Sequence, residues 1–490
     1  LGPESYAIIY KREGKDPDEQ KIAAPKITPI VTNRDSQSEF LSEIQTSQVQ
    51  PIEPVFVDYK KDMSQFEAQP GIDVLYKKNE TNDIFTLIYV FNTGTENDPA
   101  LNLAFNYLSY LGTDKMTAEE IASEMYDIAC SFYMNAGANQ SSIQITGLSE
   151  NMGKAMEIVE GLIAGAKPDE AILENLKGDM LKSRADAKLN QSRCFGALQR
   201  YLFYGGDFIR RTTLTDPALQ ALTSEQLLAK IGGLMGKQHE VLYYGPQKEA
   251  EVKSALAKHH KVAADLQPLE KKFSTLLPTD ANKVVLAQYD AKQLYYLQFS
   301  NRGEKFDVAA DPEITLYNEY FGGGMNTIVF QEMREARGLA YTAWATLATP
   351  SNANGDYSYY AFIATQNDKM QKAVEAFDDI INNMPESEKA FGIAKEALVS
   401  RLRTERTVKD GVLWSYLRAR DLGLDAPRDK QIFEKVQSMT LDDVKAAQQK
   451  WVKGRKYVYG ILGDIQNLDL NYLKTLGPIQ TVSQEEIFGY

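Results

Sequence analysis

The stretch FGGGMNTIVFQEMREARGLAYTAW, residues 321–344, decides how this chain is read. Phe330, Met333, Ala336 and Ala340 keep an apolar helical spacing. Gly338 stands where such a helix stops, because glycine alone takes a left-handed backbone at little cost. About two helical turns would separate Arg334 from Tyr341, but Gly338 interrupts them. Arg334 is therefore expected at a helix end and Tyr341 on the following strand, both facing one cleft. The residues alone also allow Arg334 to pair with Glu332 or Glu335 on a solvated face, with Tyr341 a half-buried strand aromatic. Gly322, Gly323 and Gly324 are not read as a phosphate cradle, since no GK[ST] follows them. Their expected role is steric: a tight turn that lets a peptide backbone come close.

Outward from this stretch the chain repeats itself. MGKAMEIVEGLI at 152–163 resembles MQKAVEAFDDII at 370–381, an offset of 370 − 152 = 218, and Gly245 and Gly463 are separated by the same 218. A period this long marks two whole domains, because solenoid units run to roughly 20–50 residues. Each repeat reads as strands (DIFTLIYVFNTG at 83–94, QLYYLQFSNRG at 293–303), a helical hairpin, strands again, an amphipathic helix, more helix and a closing strand. The fold class is α+β: two homologous α/β sandwich domains, each a mixed or antiparallel sheet with helices packed on it. The domains are placed at 51–265 and 266–490, joined by the polar, proline-bearing ADLQPLEKKFSTLLPTDANK near 264–283. Tyrosine-rich GDYSYYAFIA, 355–364, is expected to be a half-buried strand. Residues 1–50 fall outside both repeats. YAIIYKREGKDPDE, 6–19, looks like the closing strand of a preceding domain, and the segment after it like a connecting arm, so the chain is expected to be the downstream part of a longer protein.

At 490 residues, 43% hydrophobic and 25% charged, the composition is that of an ordinary globular protein. No apolar run is long enough for a membrane span. The net charge of −13, with scattered Lys and Arg, argues against a nucleic-acid surface. Cys130 and Cys194 permit at most one bridge and are expected as small core residues. His239, His259 and His260 are the only histidines. On a helix, adjacent His259 and His260 point about 100° apart and cannot share an ion as an i, i+4 pair would. No metal site is expected in this chain.

GGGMNTIVFQEMREARGLAYTAWA, 322–345, resembles the second domain of zinc peptidases of the pitrilysin (M16, inverzincin) family. The resemblance implies two halves, each a pair of like domains, closing over a peptide. One half carries His-x-x-Glu-His; the other supplies an arginine and a tyrosine, matched here by Arg334 and Tyr341. ALNLAFNYLSYLGTDKMTAEEI, 100–121, follows the outline of the zinc helix, with Leu103 and Tyr107 on the histidine places and Asn106 on that of the glutamate base. Asn135 and Ala136 preserve a further family dipeptide, and Glu170, Glu174 and Asp179, near the third-ligand place, are expected on a solvated helix face.

What the resemblance implies is the C-terminal, non-zinc half of a zinc-dependent peptidase, inactive alone. Tyr341 would donate to the scissile carbonyl oxygen, Arg334 would hold neighbouring carbonyls with its planar fork, and Gly322, Gly323 and Gly324 would let the substrate approach. Zinc belongs to the missing N-terminal half, and the expected partners are that half, or a separate zinc-bearing subunit, and peptides. The alternatives are a non-catalytic subunit and a structural or binding protein of the same fold. A bacterial periplasmic or envelope location is implied by similar proteins and by no residue of this chain.

Overall fold

The computed structural model describes residues 2, 4–10, 14 and 38–490, apart from the side chain of Gln45. By contact the chain divides into two units, residues 1–52 and 53–490. In the first, residues 6–10 form no strand and expose Tyr6, Ile8, Ile9 and Tyr10; most of the arm read after them lies outside the described residues. A short helix, Glu39–Thr46, is capped by Ser38, whose Oγ accepts from the Leu41 amide at 3.1 Å.

The second unit holds two six-stranded mixed sheets with helices packed on them. The first sheet comprises β1 (Ser64–Gln69), β2 (Ile72–Lys78), β3 (Ile84–Phe91), β4 (Cys130–Ala136), β5 (Ser141–Leu148) and β6 (His239–Gly245), in the order β1-β2-β6-β3-β5-β4. The second comprises β7 (Lys283–Gln288), β8 (Gln293–Lys305), β9 (Thr342–Ala348), β10 (Asp356–Gln366), β11 (Val458–Gly463) and β12 (Ile479–Val482), in the order β12-β7-β11-β8-β10-β9. Five strands of each sheet correspond, and only the edges β1 and β12 differ. The closing strand of each repeat inserts in mid-sheet: β6 runs parallel to β2 and antiparallel to β3, and β11 does the same with β7 and β8. Every residue of β6 and β11 is buried, as a strand covered on both faces must be.

That double cover comes from an exchange between the repeats. One face of each sheet packs on its own repeat's helices, Met152–Gly165 in the first and Met370–Asn382 in the second among them. On the other face, helix Gln191–Thr212 of the first repeat lays Cys194, Leu198 and Leu202 against Val285, Leu297 and Phe299 of the second sheet. In return, helix Gly411–Asp421 of the second repeat lays Val412, Leu413 and Leu417 against Leu75, Val90 and Leu242 of the first. Contact is close enough to require glycine: a Cβ on Gly460 would stand 2.2 Å from Leu202 Cδ1. The exchange corrects the reading of GDYSYYAFIA, which becomes β10 and is buried on both faces. Tyr359 and Ala361 face the second repeat's own core, while Phe362 and Ala364 face the first repeat's helix. Both cysteines are free and buried.

Candidate functional site

Residues 328–336 are helical, but not as a plain α-helix. An α-turn over Ile328–Phe330 widens into a π-helix, Gln331–Ala336. Gly338 closes it with φ +57°. The Gly338 amide donates to the Arg334 carbonyl at 3.2 Å and the Leu339 amide to that of Met333 at 3.0 Å, a glycine-type stop one residue wider than usual. The widening shifts the apolar face: Met333 and Ala340 are buried and Phe330 half-buried, but Ala336 is exposed, contrary to the simple helical spacing.

Arg334 lies in this last turn, and Tyr341 sits in a bend one residue before β9 rather than on the strand. The two side chains meet. The Arg334 guanidinium carbon is 4.9 Å from the ring centre of Tyr341 and 4.9 Å from that of Phe330, a cation between two aromatic faces. Glu332 is taken by Arg337 at 3.3 Å, and Glu335 approaches Arg334 Nε only to 3.7 Å. Arg334 thus keeps most of its five donors, and Tyr341, 71% exposed, keeps a phenol open to a ligand.

The glycine run splits into two roles. Gly322 is buried beneath edge strand β9: the Ala345 amide donates to its carbonyl at 3.1 Å, and a Cβ would lie 2.6 Å from the Ala345 and Asn318 carbonyl oxygens. Gly323 and Gly324 have room for a Cβ and instead line an open groove of about 520 Å³ with Asn318, Met325 and Trp344. Arg334 and Tyr341 do not border this groove. Asn318 was not singled out from sequence. Its side-chain amide donates to the Leu347 carbonyl and accepts from the Leu347 amide, both at 2.9 Å, capping part of the β9 edge. The signal available was an Asn late in an apolar helix, where its propensity is poor.

The outline of a zinc helix, Leu101–Leu108, is occupied by other chemistry. Leu103 is buried and has no donor atom; Asn106 is exposed. Tyr107 is buried, its hydroxyl 2.7 Å from Ser224 Oγ and accepting from the Asp169 amide at 2.7 Å. Glu170, Glu174 and Asp179 are exposed; Glu170 accepts from the Ser224 amide and Glu174 pairs with Lys177. These residues do not fit a zinc ion, whose catalytic sites take about three His or carboxylate ligands. Among the described residues, no group of three or more His, Cys, Asp and Glu could hold a metal.

The three histidines gather in the first repeat. His259 pairs with the exposed Glu157 at 3.2 Å, its own side chain largely covered, while His260 is fully buried in the core. The Lys237 carbonyl accepts from His239 Nδ1 at 2.8 Å, so His239 Nε2 is left to accept from His260 Nε2–H, also at 2.8 Å. His260 Nδ1 meets the Glu160 carboxylate at 2.5 Å. Burial, then the neighbouring His260, pushes His239 down to about 4.

Residues 238–398, which contain the Arg334–Tyr341 pair, match the family profile described as Peptidase M16 inactive domain. The chain is related to the M16 peptidases. An uncharacterized zinc protease of Streptomyces coelicolor is 22% identical over 266 residues, a match that covers 50% of this chain and only 56% of that protein. A Pseudomonas fluorescens crystal structure described as a peptidase M16 inactive domain superposes with a TM-score of 0.64 at 18% identity, covering 82% of this chain and 98% of that one. The Escherichia coli periplasmic protease PqqL gives 0.63 at 14% identity, covering 90% of this chain and 49% of that one. The M16-type architecture of two mixed sheets with packed helices is the fold seen here.

Proposed function

We propose that this chain is the non-zinc part of an M16-type peptidase that closes over peptide substrates, with Arg334 and Tyr341 contacting the substrate backbone. The observation that carries the reading is the seating of Arg334 between Phe330 and Tyr341 beside edge strand β9. Stacking holds the guanidinium plane without consuming its hydrogen bonds, so its fork stays available to carbonyl oxygens. The phenol of Tyr341 supplies a neutral donor for charge developing on a scissile carbonyl. Zinc and the general base belong, on this reading, to another half or subunit, placed in the bacterial periplasm or envelope.

The test is turnover of a peptide by the complete enzyme. Arg334→Ala and Tyr341→Phe should each lower kcat/KM by about a hundred- to thousand-fold, the usual loss on removing one transition-state donor, with this part still folded. Unchanged turnover in both variants overturns the assigned roles. The mass of the native protein separates the two assemblies: a species near twice 55.0 kDa means one long chain, and a 55.0 kDa species means a free subunit with a separate zinc-bearing partner.

A further inference from the structure

A groove of about 390 Å³ opens over helix Leu101–Leu108, on the side bearing Asn102 and Leu103, and its charge is the reverse of a metal site's. Arg184, Arg193 and Arg200 border it, against an apolar wall that includes Leu103, Leu214 and Phe488. The three guanidiniums are compensated unequally. Arg184 is held by Asp216 and by the Leu214 carbonyl at 2.6 Å, and lies 4.3 Å over the Tyr490 ring. Arg200 is half-buried yet donates to a neutral oxygen, Thr212 Oγ1 at 2.6 Å, and packs 5.1 Å over the Phe208 ring. Burial lowers its pKa, and Glu96, the main charge opposing that shift, makes no ion pair with it. Arg193 is exposed and, among the described residues, makes no ion pair. Thr213 Oγ1, on the same groove, is buried without a hydrogen-bond partner.

In a chain of net charge −13, Arg193 and Arg200 bring two guanidiniums without an ion pair to one groove, which favours an anion there. We infer that the groove binds a carboxylate carried on an apolar peptide. Planar guanidinium forks pair with a carboxylate in two parallel hydrogen bonds, and the apolar wall of Leu103, Leu214 and Phe488 favours an anion carried on an apolar group over a free inorganic one. The inference goes beyond the peptidase reading, and its test needs only this chain.

Calorimetric titration of the 490-residue chain at low salt would compare acetyl-Leu-Phe, with a free carboxylate, against its C-terminal amide and against acetyl-Glu-Leu-Phe-amide. The free acid should bind at least about tenfold more tightly than the amide, the value of roughly one charge-assisted hydrogen bond. Arg200→Gln and Arg193→Gln should each weaken it by about as much. Arg193 is exposed, so its variant keeps the test open if Arg200→Gln does not fold. Binding of the Glu-bearing amide as tight as that of the acid assigns the site to acidic side chains; weaker binding assigns it to C-terminal carboxylates. Equal binding of all three peptides, unchanged affinity in the folded variants, or displacement by submillimolar inorganic phosphate overturns the inference.

Discussion

Arg420 of the second repeat grips Glu240 of the first through two parallel hydrogen bonds, Nη1 to Oε1 at 2.5 Å and Nη2 to Oε2 at 2.7 Å. Glu240 lies on β6, its side chain only 11% exposed, so the exchange of helices between repeats is pinned by a nearly dry carboxylate. Arg420→Ala leaves that charge unpaired and should lower stability by on the order of 3 kcal/mol, the lower end for a buried pair because Arg420 itself is 41% exposed. In urea melts, adding Glu240→Gln should recover part of the loss; a double variant as unstable as the sum of the two singles would show that the residues are not coupled.

Acid should weaken the first repeat through His239. Its folded pKa of about 4 lies below the unfolded value of about 6.5, so the unfolded chain binds the proton more readily. The stabilising difference is complete above about pH 6.5 and is lost progressively as the pH falls to about 4, some 3 kcal/mol in all. His260 and Tyr89 lie against the ring, and Glu160 stands behind His260. Unfolding midpoints measured from pH 7 to 4 should fall more steeply for the native chain than for His239→Gln, and parallel slopes would remove His239 as the cause.

Gly322→Ala should destabilise by about 1–3 kcal/mol, because the added methyl meets the backbone carbonyls of Ala345 and Asn318, which cannot swing aside as a side chain would. Gly323→Ala and Gly324→Ala meet nothing nearer than 3.5 Å and 3.6 Å and should melt like the native chain. Loss of peptide turnover in these two without loss of stability would locate substrate at the groove, and native turnover in both would remove it from there.

Tyr107→Phe should cost about 1–3 kcal/mol, since it deprives the Asp169 amide of its acceptor and Ser224 Oγ of its neighbour. Unfolding monitored with and without added zinc checks both the size of the effect and the absence of any stabilisation by the metal.

Much of the fold could be read from residue patterns. The repeat at 218 residues, the strands around 83–94 and 293–303, and the glycine stop at 338 are local or self-similar features, and the structure has them where the patterns put them. The candidate site was half legible. Arg334 and Tyr341 stood out as unexplained polar groups on an apolar framework, but the π-turn that stacks one on the other gave no signal, because an inserted residue in a helix changes no composition. The split between Gly322, closed in by backbone, and Gly323 and Gly324, open to a groove, was likewise invisible, since identical letters differ only in what approaches them.

By itself the sequence determined most of the helices and strands, the likeness of the two repeats, and that Leu103, Asn106 and Tyr107 cannot assemble a zinc site, because propensity, periodicity and donor chemistry reside in the residues themselves. Only the tertiary structure decided that each closing strand runs mid-sheet, that each repeat's helices roof the other's sheet, and that three arginines far apart in sequence from Leu103 come to border its groove. The reason is physical: an apolar face states that it must be covered, and its pattern is the same whichever element covers it.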